Sequence, residues 1–153
     1  MDLAAGTATA VTGTFSNIES VLGGPGSDYF EGTDGDDTFY FVNDWSSDLV
    51  FDYTTTDNDT LDFSAVTEAM TFTFTSTSVS VTQGTNTATG TRIESVVGGS
   101  SDDVFIFDDG WGNYTITSGG TIDEDILDFS AVSANLTFTF GKDGRVSVTD
   151  GSG

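Results

Sequence analysis

Apolar and polar residues alternate along most of this chain. The pattern is clearest in "TFTFT" from Thr71, "SVSVT" from Ser78, "TFTF" from Thr137 and "VSVT" from Val146. β-Branched and aromatic side chains at alternate positions fit a pleated, half-buried surface, so each of these segments is predicted to be a strand. Clusters of Gly, Asp, Asn, Ser and Thr separate the strands, and no window has the period of an amphipathic helix. The pattern therefore predicts an all-β fold.

The chain contains two copies of one unit. "IESVLGG" from Ile18 recurs as "IESVVGG" from Ile93, a sequence offset of 93 − 18 = 75. "LDFSAVTEAMTFTF" from Leu61 recurs as "LDFSAVSANLTFTF" from Leu127, a sequence offset of 127 − 61 = 66. The first copy is thus longer by one nonapeptide (75 − 66 = 9), which we assign to "GTDGDDTFY" at 32–40. The loss of a whole nonapeptide between intact flanks is typical of a solenoid, which grows by whole turns.

We therefore predict a β-solenoid built of two tandem repeats. The first repeat, with an N-terminal lead-in, covers 1–89, and the second covers 90–153 and is truncated at the start of a third. The two are expected to form one continuous solenoid. Repeated β-sandwiches are the alternative, because they also use short strands separated by frequent turns.

Charge and composition limit the chemistry that this fold can carry. The 153 residues include 25 acidic and three basic ones, a formal net charge of −22, and this self-repulsion opposes folding unless a metal cation neutralises it. The same charge disfavours nucleic acid and anionic membranes as partners. Cys and His are absent, which excludes disulfides, thiolate and imidazole metal sites, and Ser-His or Cys-His nucleophiles. We expect no enzymatic activity, and we interpret the recurring Glu19 and Glu94 as exposed strand residues or turn-facing ligands rather than catalytic carboxylates.

Three turns follow the nonapeptide pattern G-G-x-G-x-D-x-U-x, in which U is a large apolar residue. "GGPGSDYFE" at 23–31 matches in full, "GTDGDDTFY" at 32–40 lacks the second glycine, and "GGSSDDVFI" at 98–106 has Ser for the third. Glycine permits positive φ angles that turn backbone carbonyls towards a shared point, and aspartate adds a hard oxygen ligand of the kind calcium prefers. The candidate metal-binding residues of these turns are Gly23, Gly26, Asp28, Gly32, Gly35, Asp37, Gly98 and Asp103.

Two further groups of aspartates recur in equivalent positions, in "DNDTLDF" from Asp57 and "DEDILDF" from Asp123. They are either degenerate calcium turns or Asx turns that cap strands, and both interpretations stay open. The additional candidate metal ligands are Asp57, Asp59, Asp123 and Asp125.

The nonapeptides resemble those of the repeats-in-toxin (RTX) proteins. "DNDTLDFSAV" and "DEDILDFSAV", followed by strands and "IESV-GG", are similar to the stretch that leads into the calcium β-roll of serralysin-type secreted metalloproteases. The resemblance implies a right-handed parallel β-roll, Ca²⁺ held between turns, and type I secretion with folding outside the cell. Its strict part covers only the three nonapeptides, and the zinc motif of the proteases, which needs His, is absent.

The resemblance also implies a role. We expect a calcium-stabilised structural module of a long extracellular bacterial protein, such as the stalk of an adhesin, surface layer or filament. The alternatives are a self-assembling extracellular fibre subunit that stacks head to tail and an accessory module of a secreted hydrolase. The expected partners are neighbouring repeats or identical subunits along the solenoid axis, without nucleic acid or membrane insertion. We expect the best calcium site in the first copy, which holds the extra nonapeptide.

Overall fold

A computed structural model describes residues 18–142 and 145–151. All of the secondary-structure elements assigned in these ranges are β-strands. The predicted all-β fold is confirmed, while the N-terminal lead-in at 1–17 lies outside the described residues. Within the described ranges no helix is long and apolar enough to cross a membrane. The strands are β1 Ser20–Leu22, β2 Tyr29–Glu31, β3 Thr38–Tyr40, β4 Ser47–Phe51, β5 Thr60–Asp62, β6 Thr71–Phe74, β7 Ser78–Gln83, β8 Asn86–Thr91, β9 Ser95–Val97, β10 Val104–Phe107, β11 Thr115–Thr117, β12 Ile126–Asp128, β13 Thr137–Phe140 and β14 Val146–Thr149.

The first twelve strands form two sheets. One has five strands in the order β1-β3-β5-β9-β11, and every neighbouring pair in it is parallel. The other has seven strands in the order β12-β10-β6-β7-β8-β4-β2. The chain crosses between the sheets at short turns, so each return to the same sheet completes one coil. The first coil runs from Ser20 to its sheet neighbour Thr38, which is the length of two nonapeptides.

The seven-stranded sheet is mixed rather than wholly parallel. β6, β7 and β8 form an antiparallel meander between parallel neighbours, an insertion that strand periodicity did not predict. The connections between β6 and β7 and between β7 and β8 are too short for parallel pairing, because parallel neighbours need a crossover of about a dozen residues or more. Gln83 pairs with Asn86, which leaves a tight turn whose Gly84 has a φ of 59°. β13 and β14, the repeat equivalents of β6 and β7, pair in the same antiparallel way in a separate two-stranded sheet.

One nonapeptide corresponds to half a coil. β1 and β9, which share the "IESV" sequence at the offset of 75, lie in the same five-stranded sheet. β3 and β10, related by the offset of 66, lie in opposite sheets, and so do β5 and β12. The extra nonapeptide of the first copy therefore moves the equivalent sequence that follows it from one sheet to the other.

The core is a ladder of aromatic rings between the sheets. Phe41 stacks on Phe63 at 4.3 Å between ring centroids, and the equivalent rings of Phe107 and Phe129 stack at the same 4.3 Å. A tryptophan ring makes edge contacts with both phenylalanines of each pair. This ring is Trp45 in the first copy and the equivalent Trp111 in the second. Phe30 and Phe39, the large apolar residues of the first two nonapeptides, are both buried. The equivalent aromatic residues of the two copies thus stack in the same geometry, although the equivalent strands lie in opposite sheets.

Candidate metal centre

Each of the three nonapeptide turns closes on its own aspartate. In every case the backbone N–H of the second residue of the nonapeptide donates to Oδ2 of the sixth. The contacts run from Gly24 to Asp28 (2.9 Å), from Thr33 to Asp37 (2.6 Å) and from Gly99 to Asp103 (2.8 Å). The degenerate turns at 32–40 and 98–106 therefore keep the geometry of the complete one at 23–31.

A second set of contacts joins each of these turns to the next coil. The backbone N–H of each nonapeptide aspartate donates to Oδ1 of an aspartate about one coil later in the chain. The pairs are Asp28 with Asp48, Asp37 with Asp59, and Asp103 with Asp125, each at 2.8 Å. Since the turn of Asp28 joins β1 to β2 and that of Asp37 joins β2 to β3, the two lie at opposite edges of the strand array. Successive nonapeptides thus turn at opposite edges, and Asp28 and Asp37 belong to different sites.

Three aspartates meet at the edge that carries Asp37. Asp37 comes from the turn before β3, while Asp52 and Asp59 come from the connection between β4 and β5. All three are buried, and one carboxylate oxygen from each lies within 4.8 Å of the others. These residues could hold a metal ion.

Each carboxylate of this cluster uses one oxygen for the protein and leaves the other free. Oδ2 of Asp37 accepts from Thr33, Oδ2 of Asp52 accepts from the N–H of Thr54 at 2.5 Å, and Oδ1 of Asp59 accepts from the N–H of Asp37. Asp37 Oδ1, Asp52 Oδ1 and Asp59 Oδ2 are buried without a hydrogen-bond partner. An unsatisfied buried polar atom is costly, and three from one cluster fit a cation as their common partner.

Burial and mutual repulsion disfavour the charged form of these groups when no cation is bound. The pKa of Asp59 is raised to about 7, first by burial and then by the charges of Asp52, Asp57 and Asp37. The pKa of Asp37 is raised by burial and, to a smaller extent, by Asp52 and Asp57. The pKa of Glu94, whose Oε2 accepts from the N–H of Asp59 at 3.1 Å, is also raised by burial. A cation bound here would favour the ionised carboxylates.

Gly32 lies directly against the cluster. A Cβ at this position would stand 2.7 Å from Asp52 Oδ1 and 3.2 Å from Asp37 Oδ2, so only glycine leaves the space open. The sequence predicted a different reason for the motif glycines, namely positive φ, and that prediction is wrong for the described residues. Their positive-φ glycines are Gly84, Gly110 and Gly151. Close approach to a carboxylate, at Gly32 and also at Gly23 and Gly98, accounts for three of the five candidate glycines, whereas Gly26 and Gly35 face open space or only Thr33.

The other candidate residues lie in poorer sites. Asp103 spends both oxygens on backbone N–H groups, those of Met70 and Gly99, and Asp125 keeps a free, buried Oδ2. Asp123 raises the pKa of Asp103 through its charge, and Ser118 Oγ donates to its Oδ1 at 3.4 Å. The structure thus brings Asp103, Asp123 and Asp125 together, but the described residues leave one buried, unpartnered carboxylate oxygen here, Oδ2 of Asp125.

The remaining aspartates fall into two places. Among the described aspartates, Asp28 is hydrogen-bonded to Asp48, whose Oδ2 is buried without a hydrogen-bond partner. Asp57 lies beside the main cluster, where it accepts a hydrogen bond from Thr54 Oγ1. Sequence reasoning missed Asp52 and Asp48, which stand outside the nonapeptide pattern, and the repeat gave no signal because position 118 (52 + 66) holds Ser118 and position 114 (48 + 66) holds Tyr114.

No protein-family model, curated protein or solved structure matches this chain.

Proposed function

We propose that this chain is a calcium-stabilised structural module of a long extracellular bacterial protein, in which it serves as part of a stalk. We propose further that its fold is a right-handed parallel β-solenoid that carries an antiparallel insertion. Five parallel strands, reached by a chain that alternates between two sheets, support the solenoid. A right-handed path is expected because nearly all parallel crossover connections have that hand.

The observation that carries the proposal is the set of three buried, unpartnered oxygens on Asp37, Asp52 and Asp59. All are hard carboxylate oxygens, the ligand type that calcium takes in sets of about six to eight at about 2.4 Å. Two ligands on opposite sides of one such ion are about 4.8 Å apart, and each of the three aspartates offers a carboxylate oxygen within 4.8 Å of the others, so the cluster suits a single ion. Magnesium demands a tighter octahedral arrangement and is the poorer match.

The position of the site gives it a mechanical role. Asp37 belongs to one coil and the other two carboxylates belong to the next, and the N–H of Asp59 reaches on to Glu94 before β9. Bound calcium supplies positive charge that offsets the repulsion among these groups. Without it, two carboxylates about 4 Å apart repel by about 1 kcal/mol in water and about 4 kcal/mol at an effective dielectric constant of 20. Several such pairs are comparable with the whole stability of a domain, about 5–15 kcal/mol, so the coils are expected to loosen.

The extracellular setting follows from the same chemistry. A net charge of −22 with no Cys suits a calcium-rich exterior, where Asp37 and its neighbours are neutralised. The RTX-like nonapeptides support this setting, since all three close on their aspartate by the same backbone contact. Calcium would thus couple folding to arrival outside the cell.

Calorimetric titration of the metal-free protein with calcium tests the proposal. We expect binding in the range of extracellular modules, about 0.1–1 mM, and weaker binding of magnesium. Asp37→Asn should weaken the calcium affinity at least tenfold, whereas Asp44→Asn, the same change of charge at an exposed turn residue, should leave it within about twofold. Absence of binding at millimolar calcium, or equal losses in the two variants, would contradict the proposal.

A further inference from the structure

The two ends of the strand array expose residues whose repeat equivalents are buried. At the end that carries β12 and β13, large apolar side chains are open to solvent, although the same residues in the first copy are fully covered. Leu127, Phe138 and Phe140 are 43%, 46% and 77% exposed, whereas Leu61, Phe72 and Phe74 are each 0% exposed. The difference arises from the neighbours of these residues, because their sequence is the same.

The first copy shows what covers such a surface. β9 pairs in parallel with β5, and β10 pairs in parallel with β6. Phe105 of β10 stacks on Phe72 at 4.6 Å and continues the aromatic ladder. In the second copy the ladder reaches Phe138, which meets Phe129 at 5.7 Å as Phe72 meets Phe63 at 5.6 Å. Within the described residues no further ring follows Phe138, and no strand pairs with the outer edge of β12 or with β13 other than β14.

The opposite end of the same molecule carries the covering segment. β1 and β2, the outermost strands at that end, repeat β9 and β10 at the offset of 75, from "IESVLGG" onwards. Within the described residues, no strand pairs with the edges of β1 and β2 that correspond to those by which β9 and β10 cover the first copy. Ile18 is 39% exposed, whereas its equivalent Ile93 is 3% exposed.

We propose that a second copy of this chain docks head to tail, so that its β1 and β2 add to β12 and β13 of the first. This inference goes beyond the proposed function, because a calcium-stabilised module need not associate. The repeat fixes the register: Ser20 of the second copy lies opposite Ile126, as Ser95 lies opposite Thr60. Phe30 of the second copy lies opposite Phe138, as Phe105 lies opposite Phe72.

The register also pairs polar groups across the junction. Glu94 Oε2 accepts from the N–H of Asp59, so Glu19 of the second copy is placed to accept from the N–H of Asp125. The two contacting surfaces of each molecule differ and lie at opposite ends, so the contact is heterologous and generates open chains of subunits. Since β12 belongs to the seven-stranded sheet and β1 to the five-stranded one, the two sheets exchange roles from one subunit to the next.

Disulfide trapping tests the register directly, because the chain has no cysteine of its own. Ser20→Cys and Ile126→Cys variants are mixed in calcium and oxidised, and we expect the mixed disulfide dimer as the main product. Ile122→Cys replaces Ile126→Cys in the control, since Ile122 is 96% exposed nearby but out of register. A yield at least tenfold above this control supports the proposal, and an equal yield overturns it.

Sedimentation velocity in calcium gives an independent test. The unmodified protein should form larger species as its concentration rises, and Phe138→Ser should shift them to the monomer. Val42→Ser removes an apolar side chain that is 36% exposed in the turn after β3, outside the four strands of the proposed contact, and should leave the distribution unchanged. A folded, calcium-binding protein that stays monomeric at high concentration overturns this inference and leaves the proposed function intact, while assembly without calcium binding does the reverse.

Discussion

Asp52 and Ser118 occupy equivalent positions at the repeat offset of 66 (118 − 52), each directly after a strand, and only Asp52 completes a cluster of three buried carboxylates. Around Ser118 the aspartates Asp103 and Asp125 keep the contact that joins Asp37 to Asp59 in the first copy. The second copy therefore lacks the carboxylate of Asp52 and also a free oxygen on Asp103, both of whose oxygens accept backbone N–H groups.

Exchange of the residues at positions 52 and 118 should weaken the calcium site of the first copy and give at most a weaker one in the second. Asp52→Ser removes a charged ligand and is expected to lower the calcium affinity at least tenfold, about 1.4 kcal/mol or more. Ser118→Asp adds a carboxylate at the equivalent position, but both oxygens of Asp103 stay occupied, so any added ion is expected to bind more weakly than in the first copy. Calorimetric titration measures both quantities. An unchanged affinity in the first variant would show that Asp52 is not a ligand.

Substitution of two motif glycines should show whether glycine is needed because a Cβ would not fit or because of its backbone angles. The Cβ of Gly32→Ala would press on Asp52 and Asp37, so we expect a loss of about 1–3 kcal/mol in the free energy of unfolding in calcium. Gly26→Ala meets no atom within 4 Å and should change this free energy by no more than about 0.5 kcal/mol. Denaturant titration compares the two variants. Equal losses would mean that the glycines act through their backbone angles instead.

Removal of equivalent rings from the two copies should have unequal effects. Phe63 and Phe129 hold the same stacking geometry, but Phe63 is fully buried and Phe129 only partly so. Phe63→Ala is expected to cost about 3–5 kcal/mol, and Phe129→Ala clearly less. Thermal unfolding of the dilute protein in calcium provides the comparison. If Phe129→Ala costs as much as Phe63→Ala, then the second copy is covered under those conditions.

The stability of the metal-free protein should fall as the pH rises. Folding raises the pKa of Asp59 from its ordinary value of 3.8 to about 7, so the folded state binds a proton that the unfolded state has lost in this window. The contribution of this group is therefore fully present below about pH 4 and is lost as the pH approaches and passes about 7. Urea titrations in chelator measure the slope, which Asp59→Asn should reduce. A stability that rises over the same window in the unmodified protein would contradict the raised pKa.

Much of the fold could be predicted because alternation and repetition are local properties of a sequence. The segments at Thr71, Ser78, Thr137 and Val146 are strands as predicted, and the first coil has the length of two of the nonapeptides found in the sequence. Strand direction was harder to predict. It depends on connection length, and the tight turn at Gly84 was the available signal for an antiparallel pair.

The metal centre could be predicted only in part. Asp37 and Asp59 were found through a motif and a recurring acidic triplet, and the N–H of Asp37 donates to Oδ1 of Asp59 at 2.8 Å. Asp52 was missed because it follows β4, two strands after the nonapeptide turn that holds Asp37. Only the folded coil brings the two residues together. Spatial neighbours in adjacent coils leave no fixed spacing in the sequence when coil lengths vary.

Thermal unfolding in calcium and in chelator, followed by circular dichroism at high dilution, tests whether bound calcium stabilises the fold. Above about pH 7, where Asp59 is ionised, we expect the unmodified protein to keep its β spectrum and unfold cooperatively in calcium, and to lose most of this transition in chelator. The triple variant Asp37→Asn, Asp52→Asn, Asp59→Asn removes the mutual repulsion along with the ligands, so its unfolding temperature should not respond to calcium. An unmodified protein with the same spectrum and the same unfolding temperature in both conditions would contradict the account.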